Sequence, residues 1–161
     1  MKILGSIVLM SLWLTLPQPL TNDYLKVYDG EWKGTLTYLN YGDDKTLVTL
    51  PVRVEASFSE KGVEFKSFYT EPGGGIEKRS DRFRIKKNNI YYNGYWDIVS
   101  FETKSLEEWT LSLKSEGKDN NRKASFKKVV EVSPNKITIQ KMVKYEGTEE
   151  YFIRNSYRLE R

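Results

Sequence analysis

The sequence predicts an all-β domain, an antiparallel up-and-down β-barrel of about nine strands behind a short helical turn. Three observations carry this. From Trp32 onward, bulky apolar residues alternate with polar ones in period two, the pattern of strands with one dry face and one wet face. Clusters of Gly, Asn, Asp and Pro break the pattern at short intervals. No segment after residue 30 has helical spacing, so there are no crossover helices and consecutive strands pair antiparallel.

The first stretch stands apart from that domain. Met1-Lys2 supplies one charge, and Ile3 to Leu16 has none and is mostly apolar. Pro17 and Pro19 end the run short of the roughly 20 apolar residues that a spanning helix needs. Residues 1–21 therefore read as a secretory signal peptide, with 22–161 as a single barrel domain exported to the periplasm or beyond. A buried N-terminal element and a retained anchor are the alternatives. Next, Asn22 or Asp23 can cap a helical turn in which Tyr24, Leu25 and Tyr28 share a face.

The strands follow in order. Trp32, Leu36 and Tyr38 lie on one face, opposite Lys33, Thr35 and Thr37. Val48 to Phe58 is the clearest stripe, with Leu50, Val52, Val54 and Ala56 between them. Val63, Phe65 and Tyr69 come next, then Phe83 with Ile85, and the aromatic cluster Tyr91, Tyr92, Tyr95 and Trp96. Trp109 runs with Leu111 and Leu113, Phe126 with Val130 and Val132, Ile137 with Ile139 and Val143, and Tyr151 with Ile153, Tyr157 and Leu159. Turns fall at Gly42 to Asp44, Glu60 to Gly62, Pro72 to Gly75, Lys87 to Asn89, Gly117 to Asn121, Ser133 to Asn135 and Glu146-Gly147. Gly94 marks a bend inside its segment; if it is a turn, the count becomes ten. Closing so many strands into a barrel removes both exposed edges; a two-sheet sandwich shares the same periodicity.

Composition excludes several chemistries. With 0 Cys there are no disulfides, thiolate nucleophiles or zinc-thiolate sites. With 0 His there is no imidazole acid–base pair, and the commonest zinc and haem ligand is missing. No metal or cofactor is expected. The 26 basic and 22 acidic side chains are interspersed rather than clustered, unlike a nucleic-acid footprint. The densest basic run, Arg79 to Lys87, alternates with Phe83 and Ile85 as the wet face of a strand does. Neighbouring carboxylates, Glu107-Glu108 and Glu149-Glu150, lie at breaks, where successive side chains diverge. No catalytic residue is assigned, and the protein is not expected to be an enzyme.

Trp32 is the largest side chain available and it opens the first strand. There it can plug one end of a barrel, and Gly34 two places on permits close backbone approach. An indole needs a partner for its N–H and a flat group to pack on. Arginines of the last strand suit, since first and last strands meet when a barrel closes.

Gly30-Glu31-Trp32 resembles the Gly-x-Trp signature of the lipocalin and wider calycin group, and the ending Tyr157-Arg158-Leu159-Glu160-Arg161 is similar to that of lipocalin-like bacterial domains. The resemblance implies a closed end built from Gly30, Trp32 and a late-strand arginine, assigned to Arg158 with Arg154 second. It also implies a small-molecule binding barrel. The chain departs from the group in having no Cys and no helix after its last strand. It lacks the His with which nitrobindin-like barrels hold haem. The order Arg154, Tyr157, Arg158 also differs from the Arg-x-Tyr arrangement of fatty-acid-binding barrels.

Under that reading the expected partner is a small hydrophobic or aromatic ligand, with no nucleic acid and no membrane once the signal is removed. Tyr38, Tyr69, Tyr95, Trp96, Trp109 and Arg154 are the candidate ligand-binding residues, near the end opposite Trp32 and beside the Gly73 to Gly75 loop. Aromatics also fill barrel cores without binding anything. A structural or interaction module with a filled interior is therefore the second reading, and a barrel isomerase or cyclase a third.

Overall fold

The computed structural model describes residues 18–87 and 89–161. The predicted signal peptide falls largely on residues 1–17, outside that range. A 3₁₀ turn, Asn22–Tyr28, precedes ten strands: β1 Gly30–Leu39, β2 Leu47–Ser59, β3 Gly62–Thr70, β4 Ile76–Ile85, β5 Ile90–Tyr92, β6 Tyr95–Ser105, β7 Glu108–Asp119, β8 Arg122–Ser133, β9 Lys136–Tyr145 and β10 Phe152–Glu160. Each strand pairs antiparallel with its neighbour in sequence, and β1 pairs with β10 to close the barrel.

The tenth strand arises at Gly94. Asn93 and Gly94 both have positive φ, 51° and 112°, which makes the two-residue hairpin that Asn-Gly favours. The turn splits one expected strand into the three-residue β5 and the long β6. Because β5 is short, β4 meets it only through Phe83, Arg84 and Ile85, and β7 meets β6 only as far as Lys114 opposite Asp97. Above that hairpin the upper parts of β4 and β7 have no ladder partner on their facing sides. The wall is lowest there.

Closure at the other seam depends on one glycine. A Cβ placed on Gly34 would lie 1.8 Å from the Arg158 carbonyl oxygen, so β1 and β10 can approach only because position 34 has no side chain.

The interior is divided by height. The lower half is solid: Leu111, Leu113, Val130 and Ile137 are almost fully buried. The 3₁₀ turn plugs the bottom. Its Tyr28 meets Phe65 and Phe83 edge-on at centroid distances of 5.3 and 5.9 Å, and Tyr24 meets Phe101 at 4.9 Å. Trp32 is buried among them and donates from Nε1 to the Tyr28 carbonyl at 2.8 Å. The indole thus satisfies its one polar atom on the plug it holds in place.

The arginine over Trp32 is Arg161. Its guanidinium lies 4.1 Å from the ring centroid and donates to the carbonyls of Val27 at 2.7 Å and Asp29 at 2.5 Å. Arg158, expected in that place, points outward and is exposed. Strand parity is the reason: Tyr157, Leu159 and Arg161 share one face, and Arg158 lies on the other. Gly30, with φ of 109°, begins the strand beneath the Arg161 side chain, whose Nη2 would be 3.9 Å from an added Cβ.

Candidate functional site

Above the packed half, the barrel holds a cavity of about 230 Å³. Tyr28 forms part of its floor. Phe65, Tyr69, Tyr92, Trp96 and Tyr157 supply aromatic wall, and Arg79, Asp81, Lys128 and Lys141 supply charge. A second space of about 320 Å³ shares Tyr69, Arg79, Asn155 and Tyr157 with it and extends to Tyr38 and Tyr41. The shared residues form a partition, in which the hydroxyls of Tyr69 and Tyr157 are 2.8 Å apart. Burial pushes the Tyr157 phenol well above its ordinary pKa, and Tyr69 adds to the shift. The Tyr157 hydroxyl therefore keeps its proton, and either of the two can be the donor.

Alternation places these side chains. On β4, Arg79, Asp81 and Phe83 share the inward face. On β8 that face carries Phe126, Lys128 and Val130, and on β9 Ile139, Lys141 and Val143. Lys128 and Lys141 are direct cross-strand partners. Lys128 is buried, donates from Nζ to the Tyr92 carbonyl at 3.0 Å, and lies 3.9 and 4.3 Å from the ring centroids of Tyr92 and Trp96. Burial, with a smaller contribution from the Lys141 charge, lowers its pKa to about 7. Lys141 sits 4.5 Å from the Phe126 ring centroid, its pKa also lowered by burial. Among the described residues neither lysine has a carboxylate within ion-pair distance.

Two buried polar atoms bear on the site. Tyr28 lines the cavity, and its hydroxyl is buried without a hydrogen-bond partner among the described residues. Burial raises its pKa far above the ordinary phenol value, so it remains an unspent donor. The Trp96 indole, in contrast, is satisfied by donating to the Tyr92 carbonyl at 2.8 Å.

The sequence-predicted ligand residues separate into three groups. Tyr69 and Trp96 line the cavity, and Tyr38 lines the upper space. Tyr95 is 60% exposed and points outward, beneath Lys86. Trp109 is buried in the floor against Tyr24 and Tyr28 and lines neither space. Arg154 is fully buried but occupied. Its Nη1 donates to Asp44 at 2.9 Å, and its Nη2 donates to Asp119 and the Tyr145 hydroxyl at 2.6 Å each. Burial opposes its charge, yet the two carboxylates outweigh that and raise its pKa. Arg154 ties the β1–β2 loop to β7 and β9 and has no charge to spare for a ligand. It reaches inward because a bulge between Ile153 and Asn155 breaks the β10 register, leaving Ile153 49% exposed.

Sequence reasoning did not single out Asp81, Lys128 or Lys141 as site residues. The signal was present. In the stripe Phe126, Val130, Val132 the skipped inward position is Lys128, and in Ile137, Ile139, Val143 it is Lys141. The gap in each stripe marks a charge facing inward.

Among the described residues no group of Asp and Glu side chains is placed to hold a metal ion. The closed antiparallel barrel is compatible with a calycin-like fold. In sequence, the chain matches no family model and no curated protein.

Proposed function

We propose that this chain is a lipocalin-like, exported small-molecule binding barrel, acting by burial of a compact ligand rather than by catalysis. The observation that supports this most directly is the 230 Å³ cavity, walled by Phe65, Tyr69, Tyr92, Trp96 and Tyr157 with Arg79, Asp81, Lys128 and Lys141 among its lining. A barrel filled for stability alone would close such a space with side chains, since an unfilled interior forfeits packing contacts. The volume lies below the roughly 300–1,000 Å³ of sites for drug-sized ligands, so the occupant is small. The wall favours an aromatic body with polar substituents over a wholly apolar chain. Entry past Asp81 and Asn93, where the wall between β4 and β7 is lowest, would leave the ladders intact. Export rests on the charge and hydropathy pattern of the first residues.

The solid lower half favours the second reading, a structural or interaction module. Native mass spectrometry of protein purified from its natural compartment separates the two. A co-purified small molecule, lost when Trp96 or Tyr69 becomes Ala in a folded variant, supports the container. An adduct-free protein that binds no aromatic probe moves the assignment to the structural module.

A further inference from the structure

The Lys128–Lys141 pair is difficult to explain as architecture. Like charges directly opposite on one face of an antiparallel ladder destabilise it. Here the face is the interior, where water does little to screen them. The carboxylates that act on the pair, Asp81 on Lys128 and Asp119 on Lys141, do so from beyond ion-pair distance. Arg79 and Asp81 of β4, Tyr92 of β5, Tyr69 of β3 and Tyr157 of β10 line the same space. Asp81 is the one carboxylate among these, against three cations, while Arg79 pairs with Glu77 at 2.8 Å. The partner carbonyl of Tyr92 and the rings of Tyr92 and Trp96 soften the isolation of Lys128 without removing its charge. The last-strand arginine, the other candidate for holding an anion, already has its charge paired with Asp44 and Asp119, and only its Nε lacks a partner among the described residues.

Taking the barrel as a container, we infer that its ligand is a small aromatic carboxylate whose anionic group is held between Lys128 and Lys141. The cross-strand pairing sets the two side chains side by side, so that the ammonium groups can approach one carboxylate from two directions. Such charge-assisted hydrogen bonds are the strong class. Tyr92 and Trp96 give the aromatic body a surface to pack on. One carboxylate between two ammonium groups lowers their summed charge from +2 to +1, so relief of repulsion adds to the attraction. Lys128, lowered to about 7 when unliganded, would take up a proton as the anion arrives.

The experiment is calorimetric and NMR titration of the full barrel with paired probes: benzoate, phenylacetate and indole-3-acetate, each against its neutral amide. Wild type, Lys128→Met and Lys141→Met are compared, and the ¹³Cε resonances of lysine report where binding occurs. The carboxylates should bind about tenfold or more tighter than their amides. They should shift the Lys128 and Lys141 signals and draw protons from the buffer near pH 8. Either Met substitution, which removes a buried charge and should not impair folding, should cut the preference several-fold. Amides binding as tightly as carboxylates, or a preference that survives both substitutions, overturns the anion site and leaves the container standing. No binding by any of the six probes overturns both.

Discussion

The guanidinium of Arg161 covers the indole of Trp32 at 4.1 Å while donating to two carbonyls of the segment that plugs the barrel. One side chain at the end of the chain therefore fixes the strand start, the plug and the closing seam. Trp32→Ala should cost about 3–5 kcal/mol, the range for losing a large buried aromatic. Arg161→Ala should cost about 1–3 kcal/mol, through two lost charge-assisted bonds and a cation–π contact. Arg158→Ala, on the exposed face, should stay within about 0.5 kcal/mol. Urea unfolding of the three variants tests the order; an Arg158 effect as large as that of Arg161 would refute it.

Lys128 gives the fold a pH dependence whose sign follows from its pKa. The folded value is lowered to about 7 from an ordinary 10.5. Between those values the unfolded chain holds a proton that the folded chain has released, so this group makes stability rise with pH across that window. Below about pH 7 both states are protonated and its contribution is flat, at its least favourable. Lys128→Met should flatten the rise between pH 7 and about 9.5. It should also stabilise the barrel near pH 7 by about 1–4 kcal/mol, the order found when buried charges give way to apolar side chains. Identical pH slopes in wild type and variant would show that the ammonium is solvated in the folded state.

At the opposite end, Arg154 and Asp119 form the buried ion pair, 2.6 Å apart with side chains 0% and 3% exposed. Removing one partner strands the other. Arg154→Met should destabilise by about 3–5 kcal/mol, whereas Arg154→Met with Asp119→Leu should recover much of the loss. Hydrogen exchange should show the Arg154→Met effect first in the loop that carries Asp44, which loses its tie to β10. Burial of Asp44 is partial and Arg122 also reaches it at 2.5 Å, so Asp44→Asn should be the mildest change in the network. A double variant no better than Arg154→Met would mean that packing, rather than the stranded carboxylate, sets the cost.

Much of the architecture is legible in the sequence because its cause is local. Alternation and turn chemistry specify strand after strand, and even the tenth strand hangs on Asn93-Gly94, whose meaning turned on whether that glycine bends or reverses the chain. Trp32 at a strand start and Gly34 two places on are also local signals. The site is less legible for two reasons. A bulge at Ile153/Asn155 reverses strand parity without a compositional mark, so Arg154 turns inward where regular alternation would leave it outside. The charged interior positions Asp81, Lys128 and Lys141 interrupt apolar stripes, and an interrupted stripe reads as imperfect alternation until register shows that two interruptions face each other. Tyr95 and Trp96 show the converse: adjacent aromatics cannot both face inward on one strand, and only register to β5 decides which does.

The seam between β1 and β10 supplies the sharpest test of closure. Six residue pairs form it, from Lys33 opposite Glu160 to Tyr38 opposite Asn155. Gly34 lies within it, opposite Leu159. An added Cβ would stand 1.8 Å from the Arg158 oxygen and 2.8 Å from its carbonyl carbon. These are backbone atoms, and no rotamer change relieves the clash. Gly34→Ala must therefore push the strands apart and lose ladder bonds, at a cost of about 3 kcal/mol or more. Gly73→Ala is the control: a Cβ there meets nothing within 4 Å, so it should change stability by less than about 0.5 kcal/mol. Hydrogen exchange should rise in Gly34→Ala at the amides of β1 and β10 before those of β7 and β8, which share the longest ladder. Uniform exchange throughout the barrel would mean that the seam opens only with global unfolding. A neutral Gly34→Ala would mean that the two strands do not approach so closely, and the barrel would then be open at that seam.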